Sequence, residues 1–312
     1  MNDKEIIGTK YDIKGYIEYQ CNNMNGIGKE YYYYSTIKFE GEYLNGIKKG
    51  KGKEYDIIKE LIFEGEYLND KRNGEGKEYW SNGKLKFEGI YLNDKKWEGK
   101  LYDLNNNIYE LSNGKGLIKE WDNLGFLIFE GEYLNGERNG KAKEYYNING
   151  ICKLKYEGEY LNGKRNGKGI EYYKYGKIKF ESEYLYDFRI KGKYYIYGIL
   201  DFDGEYRYNK KWNGKRCDEK GNIIYELING KGKVREYNDD NAKLIFEGEY
   251  LNGKRNGKGK EFFNNGEIMY EGEYLNGERK KGKEYYNYGK TIDEVEYIND
   301  KKIEKNKNCI II

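Results

Sequence analysis

The chain has 312 residues, 36% of them charged and 37% hydrophobic, yet its formal net charge is only +3. It contains no histidine, so it lacks the imidazole of a Ser-His-Asp or Cys-His nucleophile and of most metal sites. Near-neutrality also argues against nucleic acid as a partner, and the 38 tyrosines and 42 glycines fit neither a disordered chain nor an ordinary core.

Tyrosine carries apolar area with a wet tip and suits sheets exposed on both faces. Taken in chain order, residues 1–14 form a lead-in, MNDKEIIGTKYDIK, without an apolar run of signal-peptide length. No later stretch nears the ~20 apolar residues of a membrane span. Cys21, Cys152, Cys217 and Cys309 are too far apart for a zinc site or a disulfide framework, which points to a reducing cytoplasm.

Residues 15–299 are a repeat array. An anchor residue, followed by Glu-Tyr except at Gly89 where Ile90-Tyr91 follows, recurs at Ile17, Gly41, Gly65, Gly89, Gly131, Gly158, Ser182, Gly204, Gly248 and Gly272, most steps being 24 (17 to 41, 41 to 65, 65 to 89, 158 to 182, 248 to 272). Variant units Ile108–Gly114 and Ile224–Gly230 occupy the two long steps, preceded by Trp97 and Trp212. Trp212 lies 115 residues after Trp97, Ile224 lies 116 after Ile108 and Gly158 lies 117 after Gly41. A block of about five units has therefore been duplicated, giving about a dozen units without linkers.

Each unit reads as a β-hairpin. In FEGEYLNGKRNGKGKEFFNNG, residues 246–266, Phe246, Gly248 and Tyr250 alternate with Glu247, Glu249 and Leu251. Asn252–Gly257 reads as the turn, Lys258–Phe263 as the second strand and Asn264-Asn265-Gly266 as the return. Symmetric closure of that turn predicts Tyr250 opposite Gly259 and Glu249 opposite Lys260. An aromatic ring would then cover a bare glycine.

The pattern Phe/Tyr-Glu-Gly-Glu-Tyr-Leu-Asn-Gly-Lys-Arg-Asn-Gly-Lys-Gly resembles the MORN (membrane occupation and recognition nexus) repeat from about Ile17 to Ile298. Repeats of some bacterial antitoxin-like proteins are similar too. The resemblance implies an all-β fold of stacked hairpins in one elongated, twisted, single-layer antiparallel sheet. Two strands per unit predict an advance of ~10 Å per repeat.

Catalysis finds little support in these residues. Carboxylate pairs such as Glu64/Glu66 and Glu247/Glu249 recur in every unit opposite lysines, as on a solvated sheet face. Gly257-Lys258-Gly259 lacks the helix that a phosphate loop needs. A non-enzyme without cofactor or metal is expected. Arg72, Arg138, Arg165, Arg255 and Arg279 take equivalent positions in the turns, where a cationic ridge could meet anionic lipid or an acidic partner.

The final segment, residues 300–312, carries Lys301, Lys302, Lys305 and Lys307 ahead of Cys309-Ile310-Ile311-Ile312, a C-a-a-X form that directs prenylation of Cys309. One lipid chain with a basic stretch makes a membrane anchor. The expectation is a scaffold on the cytoplasmic face of a membrane, as a peripheral protein, with protein partners, contacts to anionic lipids and self-association through exposed sheet ends. The alternatives are a phosphoinositide module using the turn arginines and a soluble antitoxin-like or effector protein.

Overall fold

The computed structural model describes residues 7–11, 17–22, 25–32, 36–286, 291–298 and 301–303, and among them every regular element is a β-strand. The strands form three antiparallel sheets of ten, ten and seven, ordered as in the chain. The first runs from Ile7–Tyr11 to Ile108–Leu111, the second from Gly116–Trp121 to Ile223–Leu227, and the third from Gly232–Tyr237 to Lys301–Ile303. The chain divides into two compact units, residues 1–154 with 160–164 and residues 155–159 with 165–312. The hairpin pattern continues to Ile303, past the boundary expected at 299.

The turns are shorter than expected. Strands Leu61–Leu68 and Lys71–Tyr79 leave only Asn69 and Asp70 between them, at φ 53° and 63°. Asn252 and Gly253 repeat the geometry at 54° and 68°. Positive φ at both central residues is the tight hairpin turn whose twist matches that of the strands, and Asn, Asp and Gly tolerate it best. The register differs accordingly. Tyr250 pairs with Arg255, Gly248 with Gly259 and Glu247 with Lys260, the mismatch being taken up by a bulge between Gly248 and Tyr250. The ring over the glycine is therefore that of Phe246, with the next unit's Tyr274 behind it.

These pairings build a column of glycines across the strands. In the first unit Gly41, Gly52, Gly65, Gly76, Gly89 and Gly99 pair in succession. A Cβ on Gly65 would lie 2.6 Å from the Glu75 carbonyl oxygen and 2.7 Å from the Gly76 Cα, with the Phe63 ring also at 2.7 Å. Two side chains cannot face each other here. One can be accepted, as at Ala142 opposite Gly131, Ser182 opposite Gly192 and Val295 opposite Gly282.

The column explains why there are three sheets instead of one. In the variant units the consecutive column residues are Leu111 and Ile118, and then Leu227 and Val234. Each still pairs outward with a glycine: Leu111 with Gly99, Ile118 with Gly131, Leu227 with Gly214 and Val234 with Gly248. Within each couple neither is a glycine, and there the ladder stops, leaving only the isolated bridges Ser112↔Lys115 and Ile228↔Lys231. The apolar contact survives each break. Leu111 and Ile118 share one buried cluster with Phe87 and Leu101, and Leu227 and Val234 share another with Phe202 and Phe246. The turn edge survives as well. Gly114 N donates to Trp97 O at 2.6 Å and Gly136 N to Gly114 O at 3.0 Å, matched by Gly230 N to Trp212 O at 2.8 Å and Gly253 N to Gly230 O at 2.9 Å.

Gly65→Val is expected to destabilise the protein by ~2–3 kcal/mol, the cost of overpacking against backbone. Gly83→Ala, in an open loop at φ 76° with nothing within 4 Å of the new Cβ, should cost no more than ~1 kcal/mol of backbone strain. Urea unfolding of the two variants checks the ordering; equal losses would refute the column.

Candidate functional site

The two faces of each hairpin differ. On one face Phe63, Gly65 and Tyr67 of the first strand lie opposite Glu78, Gly76 and Arg72 of the second. The rings meet edge to face, Phe63 with Tyr67 at 5.7 Å and Phe63 with the following unit's Tyr91 at 5.3 Å between centroids. Arg72 lies 4.0 Å over the Phe63 ring. Its Nη2 and Nε donate to Glu54 at 2.7 and 3.1 Å, and its Nη1 donates to Glu78 at 2.9 Å. Tyr91 donates to Glu78 at 2.7 Å and Lys96 pairs with Glu78 at 2.8 Å. Glu54 also accepts from Tyr67.

This carboxylate–tyrosine–cation cluster recurs. Glu30 holds Tyr43 and Lys48, Glu120 holds Tyr133 and Arg138, Glu171 holds Tyr184, Arg189 and Arg165, Glu236 holds Tyr250 and Arg255, and Glu261 holds Tyr274, Arg255 and Arg279. Arg138 and Arg165 each lie 4.0 Å over an aromatic ring, Arg255 4.2 Å and Arg279 4.7 Å.

The five arginines expected on a turn ridge are thus strand residues on the aromatic face. A two-residue turn makes each the second residue of its strand, which the pleat points toward the rings. Their guanidinium forks are taken up by carboxylates of the protein itself, so these five arginines do not form a free cationic ridge. Lys302 joins the same system: its Nζ donates to Glu284 at 3.0 Å. Lys301 is exposed, whereas Lys305, Lys307 and Cys309 lie outside the described residues.

The electrostatics follow from this packing. Burial by itself would raise the Glu78 carboxyl, but Lys96 foremost, then Tyr91 and Arg72, holds it down at about 2. Glu54, Glu120 and Glu261 are also lowered, since their arginine and tyrosine partners outweigh burial. The tyrosines move the opposite way. Burial, then the Glu40 carboxylate, pushes Tyr55 up to about 12, and Tyr79, Tyr172 and Tyr195 follow for the same kind of reason.

The second block holds one cluster that sequence reasoning missed. Tyr194 stands where the repeat places a glutamate, in register opposite Phe180 as Glu78 is opposite Phe63. Its hydroxyl is taken by Asp239, in the turn that follows strand Gly232–Tyr237; Asp239 also accepts from Lys179 at 2.7 Å and Tyr173 at 3.2 Å. The only available signal was the missing glutamate.

The opposite face is charged. In the third sheet it lines a groove of about 960 Å³ whose floor includes Gly248, Gly259 and Gly272. Its strands alternate in sign: Lys233 and Arg235, Glu247 and Glu249, Lys258 and Lys260, Glu271 and Glu273, Lys281 and Lys283, Glu294 and Glu296. These six basic and six acidic residues cancel. Arg235 pairs with Glu247 at 2.8 Å and Lys260 with Glu271 at 3.3 Å, both pairs about half exposed. Exposed pairs of this kind add little stability and remain open to exchange with a ligand. No helix among the described residues is long and apolar enough to cross a membrane, and no group of three or more metal-binding side chains occurs among them.

Residues 39–56, 63–84, 129–151, 156–176 and 246–268 match the family profile of the MORN repeat. No curated protein matches the chain in sequence. Among solved structures it is similar to TcdB2-TccC3 without its hypervariable C-terminal region, at 12% identity and TM-score 0.17, over 91% of this chain and 18% of that one. It is also similar to the Photorhabdus luminescens Tc holotoxin pore with the mutation TccC3-D651A, at 12% identity and TM-score 0.17, over 91% of this chain and 15% of that one. The chain thus spans less than a fifth of either.

Arg72→Met should cost ~2–3 kcal/mol in urea unfolding, because Glu54 and Glu78 lose a shared partner while half-buried. Arg72→Lys should cost less, since lysine fills the equivalent place at Lys48 and Lys96. The pH dependence has two limbs. Carboxyls held below their ordinary 4.5 stabilise the fold above that value, and the gain is lost as pH falls toward about 2. Tyrosines held above their ordinary 10.0 stabilise it below that value, and the gain is lost as pH rises through about 12. Melting temperature should therefore be level between about pH 5 and 10 and fall on both sides; a maximum confined to neutral pH would contradict the clusters.

Proposed function

The chain is a MORN repeat protein, and from that premise we propose that it is a non-enzymatic interaction scaffold whose charged groove face receives an extended polypeptide segment of mixed charge. One observation carries this reading. The aromatic face is consumed by its own ring contacts and carboxylate clusters, whereas the groove face keeps half-exposed lysine and glutamate stripes over a glycine floor. Such stripes select partners by charge register and contribute more to specificity and encounter rate than to affinity. The lipid reading of the turn arginines is less well supported, because a phosphate would have to displace the glutamates that hold them.

A membrane tether through prenylated Cys309, backed by Lys301, Lys302, Lys305 and Lys307, forms a second part of the proposal. It rests on the sequence motif. Intact mass of the protein from its own cell tests it: an isoprenoid on Cys309 with loss of Ile310–Ile312 supports the tether, and an unmodified Cys309 removes it.

The groove is tested with a photo-crosslinking amino acid placed at Lys260 in the groove and, separately, at Lys254 beside the turn. One discrete crosslinked protein from position 260 that is absent from position 254 is the expected outcome. No product from 260, or the same products from both positions, would overturn the groove reading.

A further inference from the structure

The duplicated block provides an internal comparison. In the first block two successive turns read Leu68-Asn69-Asp70-Lys71 and Leu92-Asn93-Asp94-Lys95; their counterparts 117 and 115 residues on read Leu185-Tyr186-Asp187-Phe188 and Arg207-Tyr208-Asn209-Lys210. The backbone is the same. Asn69 and Asn93 have φ 53° and 50°, and Tyr186 and Tyr208 have φ 48° and 50°. Asparagine enters this left-handed region readily, whereas a bulky side chain there is strained. The fold is thus served better by the residues of the first block, and something other than folding accounts for the tyrosines.

The exchanged residues gather on the surface. Tyr186, Phe188 and Tyr208 are 43%, 47% and 71% exposed. Phe188 and Tyr208 meet edge to face with centroids 6.0 Å apart, making an open apolar notch. Arg207 replaces the leucine of the first block and lies 5.1 Å over the Trp212 ring and 5.8 Å over Tyr208. Each of the other eight arginines has a carboxylate partner: Arg72, Arg138, Arg165, Arg189, Arg216, Arg235, Arg255 and Arg279. Among the described residues Arg207 has none, and neither does its exposed neighbour Lys210.

We propose that Tyr186, Phe188, Arg207 and Tyr208 form a docking site for an acidic segment of a partner protein. A carboxylate of that segment takes the Arg207 fork, and an adjacent apolar side chain fills the Phe188–Tyr208 notch. Charge complementarity sets the class of occupant. The guanidinium lies over two rings within cation–π distance, it lacks a carboxylate partner among the described residues, and Lys210 adds a second positive charge nearby. Exposed aromatics next to an arginine are also the residue types that carry most of the binding energy at protein interfaces. The inference rests on the scaffold reading and places a second contact outside the groove.

The test is fluorescence anisotropy with the full chain and a labelled peptide of alternating glutamate and phenylalanine, alongside the same peptide with glutamine for glutamate. The comparison variant carries the first block's residues, Tyr186→Asn, Phe188→Lys, Arg207→Leu and Tyr208→Asn together. The glutamate peptide should bind the native protein, with the glutamine peptide and the variant each weaker by about tenfold or more, the size of one charge-assisted contact. The variant should melt no lower than the native protein, since strain is removed. No binding of the glutamate peptide, equal binding of both peptides, or undiminished binding by the variant would overturn the proposal. So would a lower melting temperature of the variant, which would make the cluster structural. Binding to phosphatidylserine vesicles that the variant loses, without peptide binding, would assign the patch to a membrane instead. The crosslink from position 260 should persist in the variant, so a failure here leaves the groove reading separately decided.

Discussion

The close approach of backbones along the glycine column sets the geometry of everything else. Neighbouring strands carry glycine where they pair, so a ring from the same strand, such as Phe63, can lie directly on the main chain and the next unit's tyrosine can meet its edge. A single-layer sheet has no second layer to bury its apolar face against. Here the rings cover backbone and one another, and nearly all of the largest buried side chains are phenylalanine or tyrosine of this kind. Edge-to-face pairs of this type are each worth ~0.5–1.5 kcal/mol beyond their buried area.

The carboxylate clusters follow from that packing. A tyrosine packed edge to face against the ring over the column has its hydroxyl half-buried, and a hydroxyl without a partner is costly there. The glutamate two residues beyond the column glycine receives it, and the cation eighteen residues beyond that glutamate, as in Glu54 with Arg72 and Glu120 with Arg138, balances the charge while covering the ring. High charge content with little net charge is a consequence of this arrangement. Where the glutamate is lost, at Tyr194, the fold brings in Asp239 from a distant loop, but the Tyr206 hydroxyl nearby has no partner.

Much of this was legible in the sequence. The period of 24 and the alternation of Phe246, Gly248 and Tyr250 lead to antiparallel hairpins, and the variant units at 108 and 224 stand out by eye. Their effect does not. That Leu111 and Ile118 end a ladder becomes clear only once both are known to fall in one column with Gly99 and Gly131. The turn arginines show the same difficulty. Read with a six-residue turn they face solvent; with two residues and a bulge they face the rings. Since strand residues alternate faces, one position of register decides between a free cation and a clamped one.

By itself, the sequence determined the repeat, the strand type, the duplicated block and the near-cancellation of charge, because each follows from local pattern and composition. Only the tertiary structure decided which residues meet: the glycine column and its two breaks, the glutamates that hold the arginines, the reach of Asp239 to Tyr194, and the exposed cluster around Arg207. These depend on cross-strand register and on contacts between residues up to 66 apart in the chain. No local window contains both partners, and a bulge of a single residue is enough to exchange the faces of a strand.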